Sequence, residues 1–498
     1  MNVNPITRLD YPDLDVIRVE DTYYMVSTTM HFMPGCEILQ SFDLVHWEHV
    51  TYVYETLDHT DAQQLKSGQN IYGQGMWAAS LRYHEGRFCI CFVANDTRKT
   101  YLYTSEKIDG PWKKQLIEGF YHDGSLLFDE DGRNYIVYGN DEIWITELNE
   151  DLTAPKKDGL HRLLVSDHKN PELGYEGSHI QKINGYYYIF LIHSLRDRWM
   201  RTEACFYSDS LEGEFTGGDV FCDDRGYCGQ GVAQGGIVDT PDGKWYAMLF
   251  QDSGAVGRIP ILLPVTWKDH FPFFGQNGHV PEEIEVHSTR PGYIYQPLVG
   301  SDDFCNGLLP RWQFNHDPDP RYYHLDALQG TYTITTREVC TELTQAVNTL
   351  TQRMSYPSCA AEVTVDASAL KEGDVAGLCA LQSCYAAVGI TKHHGKYEVL
   401  MLDKKEDGIL DMTEGTVVES HQMDFRLEAD FCNMKDEARC YYRVNKGDWL
   451  PIGTVHKLYF KLDHFTGCRF GLFCYAAEET GGSACFRDFK YYDVDEIS

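Results

Sequence analysis

Five times along this chain a short apolar run turns back through a tight polar turn into an aromatic-rich return strand. The copies read Val19-Glu20-Asp21-Thr22-Tyr23-Tyr24, Tyr83-His84-Glu85-Gly86-Arg87-Phe88, Asp131-Gly132-Arg133-Asn134-Tyr135, Asn184-Gly185-Tyr186-Tyr187-Tyr188 and Asp242-Gly243-Lys244-Trp245-Tyr246. Asn-Gly and Asp-Gly suit such hairpins because both central residues take a positive φ. Helical periodicity is nearly absent, and runs of Tyr, Val, Ile and Phe between Gly, Asp and Asn turns mark an all-β chain. The turns recur at roughly 45 to 65 residues, a spacing suited to four-stranded blades with loop insertions. A second recurrence, Ser41-Phe42-Asp43-Leu44-Val45-His46-Trp47 against Ser105 to Trp112 and Ser208 to Phe215, supports the same period. Five copies predict a five-bladed β-propeller that ends near residue 285.

Counting back nine positions from residues 22, 86, 132, 185 and 243 reaches Asp13, Trp77, Asp123, Glu176 and Gln234. If the units are equivalent, these five side chains meet at one end of the propeller axis. A single acid among the 75 Asp and Glu residues carries little weight, but the equal offset in all five units does. Three carboxyls, an indole and an amide gathered in one place imply function rather than stability. Glycoside hydrolysis needs one protonated carboxyl at the leaving oxygen and one carboxylate on the opposite side. A third carboxylate near the acid disfavours its ionisation and raises its pKa. Trp77 offers a platform for a sugar face. No GxSxG elbow, P-loop or dinucleotide motif competes with this reading.

At 498 residues the chain exceeds one ordinary core, so two domains are expected. The formal net charge of -32 disfavours nucleic acid and anionic membrane surfaces as partners, while a neutral sugar suffers no such repulsion. The opening Met1-Asn2-Val3-Asn4-Pro5 lacks a basic n-region and an apolar h-region. Sixteen scattered cysteines, with Cys89 and Cys91 on one strand face, are read as buried free thiols. Both features lead us to expect a soluble cytoplasmic protein. There is no HExxH, paired CxxC or EF-hand loop, and His393-His394 lacks partner spacing, so neither metal nor cofactor is expected.

At these residues the sequence resembles glycoside hydrolase family 43, the β-xylosidase and α-L-arabinofuranosidase group. Asn4-Pro5 followed by Tyr11-Pro12-Asp13 and Val16-Ile17-Arg18-Val19 resembles its first blade, and Asp123-Gly124-Ser125 through Asp131-Gly132 its third. Tyr175-Glu176-Gly177-Ser178-His179 resembles the segment bearing the acid, and Gln234-Gly235-Gly236 with Gly257-Arg258 resembles fifth-blade elements. Trp312 to His316, Asn348 to Arg353 and Gly373 to Leu378 resemble the family's appended β-sandwich. The resemblance departs at Leu14, where Pro is usual, and in the wall Met30-His31-Phe32-Met33, which is more aromatic elsewhere. It departs again at Ala233, where many members carry a His associated with an axial metal or water.

The resemblance implies Asp13 as general base, Asp123 as the residue that tunes and orients the acid, and Glu176 as general acid, with inversion. It also implies that Gln234 and Arg258 hold sugar hydroxyls. For Arg258 the alternative is a structural salt bridge between blades. Phe32 reads either as pocket wall or as core, and His179 either as orienting the acid or as a core histidine. The expected domains are a propeller at 1–290 and a β-sandwich at 300–498 (concanavalin/lectin-like), the stretch from Val286 to Gly300 being the linker. The expected function is release of terminal xylose from β-1,4-xylo-oligosaccharides, together with α-L-arabinofuranosidase activity. The alternatives are an enzyme that is mainly an arabinofuranosidase, and an inert sugar-binding propeller. The resemblance leaves room for a homo-oligomer.

Overall fold

The recurring hairpin is the inner edge of each blade. In a computed structural model, which describes residues 4–413, 415–461 and 464–493, the inner pairs meet through two-residue turns in three blades. These are Glu20-Asp21, Glu85-Gly86 and Asn184-Gly185. Gly86 and Gly185 stand at φ 78° and 85°, a region an L side chain rarely adopts, which is why the turn signal was readable. Blades three and five use five-residue loops instead, closed by Gly132 and Gly243 donating to Asp129 and Thr240.

Four antiparallel strands make each of the first four blades. Blade one comprises Asp15–Val19, Thr22–Val26, Gly35–Ser41 and Glu48–Tyr54; blade two, Met76–His84, Arg87–Ala94, Lys99–Ser105 and Lys113–Ile117. Blade three comprises Ser125–Phe128, Asn134–Asn140, Glu142–Leu148 and His161–Ser166; blade four, Glu176–Ile183, Tyr186–Ser194, Arg201–Ser208 and Thr216–Phe221. In blade five the inner strand is split into Val232–Ala233 and Ile237–Asp239, followed by Trp245–Asp252, Arg258–Lys268 and Phe271–Phe274. The second strands are apolar almost throughout, as in Tyr186–Ser194, because a blade on each side covers both faces.

The propeller core is accordingly divided into five clusters, one between each pair of neighbouring blades. Val26, Ile38, Leu81 and Phe92 join blades one and two, and Cys89, Cys91, Leu126 and Ile136 join two and three. Val137 and Ile189 join three and four, Phe190 and Leu249 join four and five, and Val16, Met25, Phe250 and Leu262 close the ring. The N-terminal segment runs beside the third strand of blade five. There Asn4 exchanges two hydrogen bonds with the Leu262 backbone, and the amides of Ile6 and Tyr11 bond Pro260 and Arg258. All sixteen cysteines are free thiols; most are buried, as expected, but Cys222, Cys228, Cys305 and Cys432 are exposed.

Two larger sheets face each other to form a concanavalin-like β-sandwich. One sheet includes Leu350–Arg353, Val375–Leu381, Tyr385–His393, Lys396–Lys404 and Arg469–Tyr475. The other includes Ser358–Asp366, Gln422–Asp430, Glu437–Arg443 and Ser483–Asp493. A short strand of the propeller, Phe32–Met33, leaves blade one and pairs with Gln313–Asn315, so the first sheet contains propeller backbone. The connecting stretch is packed on blade one. Thr289 bonds Phe42, Arg290 pairs with Asp21, and the Tyr293 hydroxyl bonds Glu48.

Candidate active site

Asp13 and Asp123 sit in left-handed turns, φ 53° and 48°, two residues ahead of the inner strands of blades one and three. Glu176 opens the inner strand of blade four, and Trp77 is the second residue of that of blade two. Both strands are bulged there, between Met76 and Ala79 and between Glu176 and His179, which re-aims the side chains. Gln234, at φ 61°, lies between the split inner strands of blade five. The five residues therefore sit at one end of five equivalent strands, although the offset is not strictly constant: Thr22 already belongs to the return strand, beyond the Glu20-Asp21 turn, while Gly86 and Gly185 lie within their turns. At the opposite end, residues such as Val16, Arg82, Leu126, Ile180 and Ile237 line a central cavity of about 410 Å³.

Asp13 is buried and fixed on both oxygens: Thr28 Oγ1 donates to Oδ2 at 2.6 Å and Arg258 Nη1 to Oδ1 at 2.5 Å. Arg258 Nε also reaches Asp252 Oδ1 at 3.3 Å, so this guanidinium does bridge blades, and the carboxylate it bridges to is the candidate base. Arg201 lies on the other side of Asp252, with Nη1 at 3.1 Å from Oδ2. Its Nε is buried without a hydrogen-bond partner among the described residues. Both guanidiniums lie over the Phe250 ring, at 5.3 Å for Arg201 and 4.7 Å for Arg258.

Across from Asp13, two carboxyls flank an imidazole. His122 Nε2 lies 3.5 Å from Asp123 Oδ2 and 3.6 Å from Glu176 Oε2. The Gly177 amide donates to Asp123 Oδ2 at 3.0 Å, and Asn140 Nδ2 donates to Glu176 Oε2 at 2.7 Å. Burial, together with the nearby charges of Glu176 and Asp13, pushes Asp123 up to about 6. The Asp123 carboxylate in turn holds the His122 imidazolium up to about 9. Burial alone would raise Glu176, but the neighbouring His122 imidazolium outweighs that and brings it below the usual range. A carboxyl raised by burial and by its acidic neighbours, as the sequence led us to expect, is present in this pair, and the charge of His122 lowers both members.

Gln234 packs its side chain against Gly177, where a Cβ would stand 2.7 Å from Gln234 Cγ; only glycine permits this approach. Trp77 meets His122 and Phe465 edge-on, with ring centres 6.0 Å and 5.3 Å away. Phe465 comes from the sandwich and covers the Arg258 guanidinium at 4.0 Å. Phe32 occupies the seam between the domains, under the Arg469 guanidinium at 3.5 Å and beside His31, and makes none of these contacts with the acids. His179 does not orient Glu176. Its Nδ1 meets Asp15 Oδ1 at 3.1 Å, deeper along the axis.

Asp15 also takes Arg82 Nη1 at 2.7 Å and the Leu81 amide at 2.8 Å. Burial works against its ionisation, but Arg82 and His179 outweigh it and hold Asp15 at about 2. With that carboxylate already paired with Arg82 and bonded to His179, and with Ala233 supplying no donor, the residues here do not fit an axial ion. Among the described residues, His122, Asp123 and Glu176 bring donor atoms within 4.8 Å of one another. A cation there would keep both carboxyls ionised and remove the proton an acid must supply, so the trio is read as an acid–base group.

His122, Asn140, Arg201, Asp252 and Phe465 were not singled out from the sequence. Three of them had a signal. Asn140, Arg201 and Asp252 stand where the second and third strands of blades three, four and five turn at the acids' end. Phe465 had none, because it arrives from the other domain.

Residues 3–272 match the model of glycosyl hydrolases family 43, and residues 301–492 match that of the beta xylosidase C-terminal concanavalin A-like domain. A solved bifunctional GH43-CE of Bacteroides eggerthii superposes with a TM-score of 0.92 at 42% identity, over 100% of this chain and 64% of that one. This chain thus spans less than two thirds of that protein's length. A beta-xylosidase of Formosa agariphila is 26% identical over 99% of this chain and 89% of its own. A non-reducing end alpha-L-arabinofuranosidase of Bacteroides ovatus is 23% identical over 82% of this chain and 79% of its own.

Proposed function

The chain belongs to glycosyl hydrolases family 43 and is a glycoside hydrolase of the xylosidase and arabinofuranosidase group, and on that footing we propose that it is an inverting exo-enzyme. It removes terminal xylose from β-1,4-xylo-oligosaccharides and also accepts α-L-arabinofuranosides. The observation that carries this reading is the division of the acids. Asp13 stands alone on Arg258 and Thr28, outside the tight group that Asp123 and Glu176 form with His122. In this reading Asp13 takes a proton from the water that attacks the anomeric carbon, and Glu176 protonates the departing oxygen. Asp123 holds the Gly177 amide next to Glu176 and so orients the acid. Gln234, Trp77, Arg201 and Arg258 surround the sugar. Phe465 of the sandwich meets Trp77 and Arg258, and this wall supports removal of end sugars over internal cleavage. The free thiols support a reducing compartment, the cytoplasm.

The test is incubation with xylobiose, xylotriose and nitrophenyl arabinofuranoside, with the first-formed sugar followed by proton NMR. Xylose appearing first as the α-anomer, from the chain end, is expected. The β-anomer first would overturn inversion. Release of neither sugar would overturn the substrate class.

A further inference from the structure

The acid side of the site holds a group that the two-carboxyl scheme does not use. His122 is wedged between Asp123 and Glu176, with its Nε2 nearly equidistant from one oxygen of each, at 3.5 Å and 3.6 Å. That nitrogen is buried, and among the described residues no other acceptor takes its proton. The oxygen of Glu176 that faces it, Oε2, already receives a donor from Asn140. Donors on both sides favour the ionised form of that carboxyl. An acid whose surroundings strip its proton before substrate arrives must regain it from somewhere. The imidazole is the nearest source.

We propose that His122 stores the proton that Glu176 delivers to the leaving oxygen. The proposal rests on the reading of Glu176 as general acid. When a sugar enters and displaces water, the imidazolium–carboxylate pair loses solvation, and the neutral pair gains relative to it. A small rotation closes the 3.6 Å gap; the Nε2–H bond breaks as the Oε2–H bond forms, leaving neutral imidazole beside neutral carboxylic acid. Glu176 then gives this proton to the glycosidic oxygen as its bond to the anomeric carbon breaks. Water forms the new C–O bond while its proton passes to Asp13. Asp13 releases that proton to solvent and His122 takes one back, so the net change is addition of one water to one glycoside. His122 is here a positioning residue for the proton and acts through Glu176.

The charged groups around this imidazole are Asp123 on its own turn, Glu176 on blade four and Asp13 on blade one; Arg201 and Arg258 act on it through Glu176. The store is full below the point at which His122 loses its proton, about 9, and empties as pH rises through it. With the imidazole absent, the last proton of the trio belongs to the carboxyl pair and leaves at lower pH. His122 thus extends activity to the alkaline side.

The experiment is the pH profile of kcat/KM on xylobiose for the full chain, for His122→Gln and for His122→Phe. The alkaline limb is expected near 9 in the parent and at least about one pH unit lower in both variants, with activity falling about tenfold per unit beyond each limb. Gln keeps the polarity and Phe the ring, so a packing defect in one is exposed by the other, and loss of packing alone lowers the plateau without moving the limb. A limb that stays in place in either folded variant overturns the proposal. A parent chain inactive on every glycoside would instead sink the functional reading, and this proposal with it.

Discussion

Asp13 and Glu176 are held in ways that separate their roles, and substitution should reveal this through the leaving group. Asp13 is clamped between Thr28 and Arg258, so its loss removes the acceptor for the water's proton whatever sugar departs. Asp13→Ala is expected to lower kcat about 10²–10⁴-fold on both xylobiose and dinitrophenyl xyloside, the usual contribution of a general base. Glu176→Ala should lose a similar factor on xylobiose but far less on the dinitrophenyl substrate, whose leaving group departs without protonation. Steady-state kinetics on the two substrates checks both statements. Equal losses for Glu176→Ala on the two would remove it from the acid's role. The sequence pointed to these residues because each precedes a hairpin whose turn is written locally, such as Asn184-Gly185 nine residues after Glu176. It did not point to His122, although it adjoins Asp123, because only the fold brings Glu176 beside it.

The blades were legible for the same reason that their inner hairpins form: period-two patterning and positive-φ turns are short-range facts. The outer parts of the site depend on where strands return. Asp252 and Arg258 face each other across the mouth of one hairpin, and Arg201 faces Ser194 across another, pairings that follow only once register is known. The loop that carries Phe465 is further still from local rules. Its neighbour Gly467 donates to Asp10 Oδ2 at 2.7 Å, while Asp10 Oδ1 takes the Arg258 amide at 2.7 Å. One buried carboxylate thus sets the loop and the arginine together, which places Phe465 over the guanidinium. Phe465→Ala removes a desolvated cation–π contact worth up to about 2 kcal/mol and an edge-on aromatic pair worth about 1 kcal/mol. A fall in kcat/KM of at least about tenfold on xylobiose is expected, with relatively smaller loss on longer xylo-oligosaccharides as the wall opens. Kinetics on the length series decides it; an unchanged value on xylobiose would show that the sandwich does not shape the pocket.

Phe465 can serve the propeller only if the sandwich is held at a fixed angle, and one buried ion pair spans the seam. Arg353 reaches across the seam to Glu37 at 2.8 Å, bonds the Asp10 carbonyl at 3.0 Å and lies over the Tyr11 ring at 4.3 Å. Burial would raise Glu37, but Arg353 and His49 outweigh it and hold its carboxyl at about 2, below its ordinary 4.5. A carboxyl lowered on folding stabilises the native state above its unfolded pKa, and that contribution disappears as pH falls from 4.5 through 2. Arg353→Met leaves Glu37 buried opposite an apolar chain with His49 Nδ1 still 3.0 Å away, which should cost up to about 3–5 kcal/mol at neutral pH. In the variant burial pushes Glu37 up, so protonation relieves the penalty on acidification. The stability gap between parent and variant is therefore expected to be widest near pH 7 and to narrow towards pH 4, as read by Tm from calorimetry of the full chain. Replacing Glu37 by Leu in the same variant should restore most of the loss at pH 7, since the stranded charge is gone. A gap independent of pH, or no recovery in the double variant, would mean that Arg353 holds the domains by packing on Tyr11 alone. The charge pair would then have no part in fixing the angle at which Phe465 meets the site.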